Sequence, residues 1–176
     1  MKTSHKTWTA AITFLLAGSL ASVAWAQNTT DPQQFISGSA RSCQGCDLQE
    51  ANLSGISRVN ARLRQAQLQL ANLSDSNFEG SYFTCANLAS ANLRNTKLRF
   101  ANFVDANLSG TDLRGADLRN VDLGGAIVDE NTNFEGANLE GAKLWDSATL
   151  YRSGVDLRRI PRNVEGDLER VRCRNR

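Results

Sequence analysis

Histidine is almost absent from this chain. Its single imidazole, at His5, lies within the first 26 residues, which read as a cleavable leader. The mature chain then carries none. That excludes Ser–His and Cys–His nucleophile pairs and every zinc site that needs a histidine. Long apolar runs are equally scarce. After the stretch from Trp8 to Val23, no segment is long enough to cross a bilayer. That stretch follows a basic start (Lys2, His5, Lys6) and ends in the A-x-A pattern of Ala24-Trp25-Ala26. A retained membrane anchor is the competing reading. Gly18, the Ser and Thr residues and the small-residue end favour cleavage and export.

A charge excess is missing too. The chain has 20 basic and 18 acidic residues. The leader takes two of the basic ones, Lys2 and Lys6, which leaves 18 of each. A near-neutral mature chain has no global reason to bind nucleic acid. The asymmetry is local. Between Tyr151 and Arg176 stand eight arginines against Asp156, Glu165, Asp167 and Glu169. Their plain reading is a solvated face of a basic tail.

What is present is a period of five. Leucine recurs at Leu108, Leu113, Leu118 and Leu123. The same phase places large apolar residues at Leu48, Leu68, Phe78, Phe83, Leu88, Phe103 and their neighbours, taken here as a core ladder. Two residues before each such centre stands a small residue, for example Ala51, Ala71, Ala91 or Thr111, and Asn or Asp often lies between. Residues two apart on extended backbone face the same side, so the small and the large residue both point inward. The next two positions turn the chain, which accounts for Gly55, Gly80, Gly110, Gly115 and Gly125. One unit cannot bury its own leucine. Stacked coils about 4.8 Å apart bury a continuous ladder and pair the backbone above and below. A helix is excluded, because a period of five scatters apolar residues around a 3.6 repeat.

Two breaks interrupt the phase. In "ISRVN" the centre is Arg58. A charge in so narrow a core costs several kcal/mol, so the first coil is expected to be open there, with Arg58 reaching solvent. In "AIVDENTNFEG" one extra residue moves the later centres to Phe134, Leu139 and Leu144, which predicts a bulge near Asp129–Thr132.

The ends must cap the stack. Asp31 and Pro32 suit an N-cap and first helical position, and Phe35 and Ile36 add apolar surface. Leu157, Ile160, Val164, Leu168 and Val171 suit a helix after Pro161. Cys43-Gln44-Gly45-Cys46 reads as a redox motif, half a metal site or a structural disulfide. No second ligand pair of that spacing completes a metal site, and no βαβ setting supports a thioredoxin-like one. The remaining cysteines are Cys85 and Cys173, whose pairing stays open.

The A-(N/D)-L-x-x pattern over residues 46–146 resembles the pentapeptide-repeat family. The resemblance implies an all-β fold, a right-handed quadrilateral β-helix of four pentads per coil, hence about five coils and a rod roughly 24 Å long, with short helical caps. With the readings above, the chain divides into a leader at 1–26, an N-terminal cap at 27–45, the helix at 46–146, and a C-terminal cap with basic tail at 147–176. "SCQGCDLQEANL" is similar to the start of exported cyanobacterial members, which implies a Cys43–Cys46 bond and a periplasmic or thylakoid-lumen address.

With four sides, residues twenty apart stack. Arg94 then lies over Arg114 on one face and Arg99 over Arg119 on the next, with Lys97 nearby. These form a candidate partner-binding patch, though ordinary surface charge, countered by Glu79, Asp112 and Asp117, explains them as well. Outward Leu70, Tyr82, Phe100 and Trp145 are further contact candidates. A convex rod offers no cleft for a small-molecule substrate, and no catalytic group, metal or cofactor is expected. The reading is an exported, non-enzymatic scaffold for an unidentified protein partner, not embedded in a membrane and not bound to nucleic acid. Two alternatives are a DNA-mimicking topoisomerase-binding protein, which wants an acidic surface, and a redox-active protein using Cys43 and Cys46.

Overall fold

The pentads stack in register. In this computed structural model, residues 31–143 are described. The leader, the C-terminal segment with its arginines, Leu144, Trp145 and Cys173 lie outside the described residues. Parallel single-residue bridges join Ser42 to Arg62, Arg62 to Tyr82, Tyr82 to Asn102 and Asn102 to Asp122, and three further columns repeat that spacing. Each step is twenty residues, or four pentads per turn. Above Asn107↔Ile127 the step becomes twenty-one, as in Asp112↔Asn133.

That change of register is the bulge at Asp129–Thr132. In the coils before it the N–H of a corner residue bonds the carbonyl nineteen residues on, as Gly55 does with Ser74 at 2.9 Å. Gly110 instead donates to Asp129 Oδ1 at 2.8 Å. A side-chain carboxylate thus replaces the backbone acceptor that the extra residue has displaced. Thr132 Oγ1 accepts from Asp129 N–H at 3.0 Å and lies 2.9 Å from the Leu108 carbonyl, which closes the bulge against the coil below.

The large inward residues form four ladders. Leu48, Leu68, Leu88, Phe78, Phe83 and Phe103 are all buried, as is Leu108. Phe83 and Phe103 stack at 4.7 Å, and Phe78 meets Phe83 edge-on at 5.7 Å. The small inward residues are buried as well, Ala61, Ala71, Ala106 and Ala116 completely. Where a hydroxyl stands there, it is satisfied: Thr96 Oγ1 donates to Leu73 O at 2.8 Å and Thr111 Oγ1 to Leu88 O at 2.9 Å.

Each corner is a tight turn. Leu48 O accepts from Ala51 N–H at 3.1 Å, and Glu50 between them has φ 58°. The sequence places polar residues or glycine after each centre. Most corners are not glycine: Asn60, Leu70, Asp75, Cys85, Asn95, Phe100 and Asn120 all take the left-handed conformation. The coil geometry, held by four columns of bridges, overrides the local preference. Glycine is required for a different reason. A Cβ at Gly115 would lie 2.5 Å from Asn95 Oδ1, the corner side chain of the coil below. Gly125 stands in the same relation to Asp105. At these two corners the side chain of the coil below leaves no room for a Cβ above it, whereas Asn95 stands over the polar corner Asp75 and bonds it at 3.1 Å.

The first coil refines one expectation. Arg58 stays half-buried rather than free in solvent, its guanidinium held by backbone carbonyls. Its Nε donates to Phe35 O at 3.0 Å, its Nη2 to Ile36 O at 2.8 Å and its Nη1 to Ser57 O at 2.8 Å. The first two carbonyls belong to α1 (Pro32–Ser37), whose N-cap is Asp31 and whose Phe35 is wholly buried. A helix end has carbonyls without intrahelical partners. A guanidinium with five donors supplies what they need while its stem covers apolar surface. The break in the leucine ladder is thus where α1 attaches.

Candidate functional site

The outward face of each strand is built by two residues flanking the buried centre. The residue before the centre is Asn or Asp in most units. Its side chain accepts from the N–H two residues on, as Asn52 does from Ser54 at 3.2 Å and Asn107 from Ser109 at 3.1 Å. These bonds hold each turn from outside. Asn92 also donates to Asn72 at 3.1 Å, one coil below. The recurrent Asn was visible in the sequence; that it braces the turns and links coils was not.

The four candidate arginines fall in two columns. Arg94 and Arg114 share one, Arg99 and Arg119 the next, each pair separated by one twenty-residue turn. Arg114 forks onto Asp112, Nε to Oδ1 at 2.8 Å and Nη2 to Oδ2 at 2.6 Å. Arg94 Nη1 lies 3.8 Å from the same carboxylate. Arg119 forks onto Asp117 at 2.7 and 2.6 Å. Arg99 sits over the exposed Phe100 ring at 5.2 Å. Glu79 and Glu140 act electrostatically on Arg119, and Glu135 on Arg114. The four guanidinium groups are thus a lattice of alternating charge rather than a purely basic surface. The sequence reading stacked the arginines but did not place their forked bonds to the aspartates two residues before them.

The carboxylates respond accordingly. Asp112 is held below its ordinary value, chiefly by its hydrogen bond from Arg114, against a smaller opposing effect of burial. Asp117 is lowered in the same way by Arg119. For Asp129, burial pushes upward, and hydrogen bonds from Gly110, Thr132 and Asn131 more than offset it. All three favour the ionised form at neutral pH.

Cys43 and Cys46 are joined by a disulfide with Cα atoms 5.2 Å apart. Cys43 occupies a centre site and Cys46 the small inward site of the next unit, and both are buried. Cys85 stands at a corner, with φ 57°. No cysteine is free among the described residues. Of the outward apolar candidates, Leu70, Tyr82 and Phe100 are exposed and lie in three different columns.

Against this geometry, the family pattern described as pentapeptide repeats matches in 8 copies, over residues 42–80, 61–99 and 91–128. The chain belongs to the pentapeptide repeat family. HetL, a pentapeptide repeat protein involved in heterocyst differentiation regulation from the cyanobacterium Nostoc sp. strain PCC 7120, is similar at 31% identity with a TM-score of 0.59. The match covers 67% of this chain and 49% of HetL, so the chain spans about half of HetL's length. A second Nostoc pentapeptide repeat protein is 29% identical over 61% of this chain and 92% of its own, with a TM-score of 0.49. A pentapeptide repeat protein of the Arabidopsis thaliana thylakoid lumen is 31% identical over 61% and 74%, with a TM-score of 0.44. No curated protein matches. The known structures of pentapeptide repeat proteins are right-handed β-helices. No helix among the described residues is long and apolar enough to cross a membrane.

Proposed function

We propose that this pentapeptide repeat protein is an exported, non-enzymatic scaffold whose solenoid faces dock another protein. The observation that carries the reading is the division of labour within the pentad. The inward positions are spent on the core, and the outward ones are held at a fixed register by backbone bridges and Asn-braced turns. Such a surface displays side chains on a rigid frame, which lowers the ordering cost of association. The three shifted carboxylates are shifted towards ionisation, the opposite of what a general acid at neutral pH needs. A disulfide buried at both sulfur-bearing residues is poorly placed for exchange with an outside thiol.

The accompanying organisation is a leader at 1–26, an N-terminal cap at 27–45 pinned by Cys43–Cys46, about five coils over 46–146, and a C-terminal cap and basic tail at 147–176. Export rests on the basic start, apolar stretch and A-x-A end of the leader. The periplasm or thylakoid lumen is the expected address, and the Arg94, Arg99, Arg114 and Arg119 columns are the first docking face to test.

The test is cell fractionation with N-terminal sequencing, then crosslinking inside the compartment followed by mass spectrometry. Recovery of a chain beginning at Gln27, crosslinked to one dominant protein, supports the proposal. Loss of that crosslink when all four arginines become Glu assigns the face. A cytosolic chain with an intact N-terminus, or no crosslinked protein, contradicts it.

A further inference from the structure

The arginines at the start of the solenoid differ from those above. Arg62 and Arg64 flank the buried Leu63 and both face outward. Ser42 lies directly below Arg62, and Arg41 beside it, in register with Ala61, has its carbonyl bonded by Arg62 N–H at 2.9 Å. Three arginines therefore stand on two adjacent strands about 4.8 Å apart. Among the described residues, ion pairs occur at Arg94, Arg114, Arg119 and Lys143, and none at Arg41, Arg62 or Arg64. Arg58, close by, bonds three carbonyls and no carboxylate. Those three bonds use three of its five N–H donors.

Beside this cluster opens a cavity of about 410 Å³, lined by Gly38, Arg41, Ser57, Arg58, Val59 and Ala61. Its size suits a few side chains of a ligand. Two arginines and no acid line it. Val59 is 39% exposed and Tyr82, bridged above Arg62, is 48% exposed, so apolar surface adjoins the charge.

We propose that this cavity and its arginines bind a short acidic peptide segment of a partner protein. A carboxylate enters between Arg41 and Arg58, further acids meet Arg62 and Arg64, and an apolar side chain lies on Val59. The proposal rests on the scaffold reading and names the chemistry of its partner. The charge pattern favours a short segment over a long polyanion. Glu79 stands one coil above Val59, and beyond the cluster the rod carries Asp75, Asp105, Asp122, Glu135 and Glu140, which repel a nucleic acid tracking its length. A membrane surface fits less well, because the exposed Leu70, Phe100 and Ile127 stand in other columns and form no common plane.

Fluorescence anisotropy of the purified full chain tests this, with a labelled octapeptide of alternating Glu and Leu as probe and the Gln–Leu analogue as control. Saturable binding of the acidic probe is expected, weakened about tenfold or more by Arg41→Glu, Arg62→Glu and Arg64→Glu together and by added salt. Those side chains hold no part of the fold, and circular dichroism should stay unchanged. Lys143→Glu, four coils above Arg62, should leave binding intact. No saturable binding, equal loss from Lys143→Glu, or no loss in the triple variant overturns the proposal. So does Arg41-dependent sedimentation with phosphatidylglycerol vesicles in the absence of peptide binding. The scaffold reading fails separately: it falls if no partner is crosslinked in the compartment, and it stands if a crosslinked partner persists in the triple variant.

Discussion

Arg58 Nη2 donates to the carbonyl of Ile36 at 2.8 Å, across twenty-two residues of sequence. With the bond from Nε to Phe35 O, it fastens the end of α1 to the first coil. The same ladder holds Phe78, Leu98, Leu118 and Leu139 in the coils above. Arg58→Leu restores the repeat but strands the Ile36 carbonyl and leaves Phe35 O with only the bond from Gly38 N–H. It should lower unfolding free energy by about 1–3 kcal/mol and raise hydrogen exchange in α1 selectively. An unchanged melting temperature and unchanged exchange at Phe35 would refute that role.

The close approach at the Gly115 corner is testable. Gly115→Ala places a Cβ against Asn95 Oδ1 and forces alanine to φ 67°. The left-handed conformation alone costs about 1–2 kcal/mol. Adding Asn95→Ala should recover the contact and leave the conformational part. Urea unfolding of both variants separates the two. If the double variant is no more stable than Gly115→Ala, the side chain below is irrelevant.

Acid should weaken the fold through Asp112 and Asp117. Their folded values are lowered, chiefly by hydrogen bonds from Arg114 and Arg119. The stability they add is complete above the unfolded value, near 3.9, and is lost as pH falls through the folded value. Melting temperature should therefore hold down to about pH 4 and fall below it. Asp112→Asn with Asp117→Asn should flatten that acid limb. A wild-type curve with no acid limb, or a limb unchanged in the double variant, contradicts the assignment.

Cys43 and Cys46 stand where other units carry a large and a small inward residue. Cys43→Leu with Cys46→Ala should keep the fold and the far-ultraviolet circular dichroism. It should lose roughly 2 kcal/mol, the chain-entropy effect of so short a covalent loop. Cys43→Ser should lose more, because it leaves a small polar side chain in a leucine site. Equal stability of the two variants would show that the inward pattern does not govern this position.

The repeat was legible because a period of five at Leu108, Leu113, Leu118 and Leu123 fits neither helix nor plain strand, and because stacking is the way such units bury their leucines. The bulge was legible from the same phase, one residue late at Phe134. Features outside the periodicity were not. Arg58 looked like a defect because its partners, the Phe35 and Ile36 carbonyls, are backbone atoms more than twenty residues away. The left-handed Leu70 and Phe100 contradict local preference, since coil closure decides there. The arginine columns and their counter-charges at Asp112 and Asp117 were legible, but the forked bonds between them depend on rotamers that spacing does not specify.

The central claim is that this rod exists to hold another protein, and crosslinking in the intact compartment followed by mass spectrometry tests it most directly. The account predicts one dominant protein partner, recovered reproducibly and joined to the chain at outward positions of the coils. Recovery of the chain alone, at crosslinker doses that capture known complexes in the same sample, would contradict it.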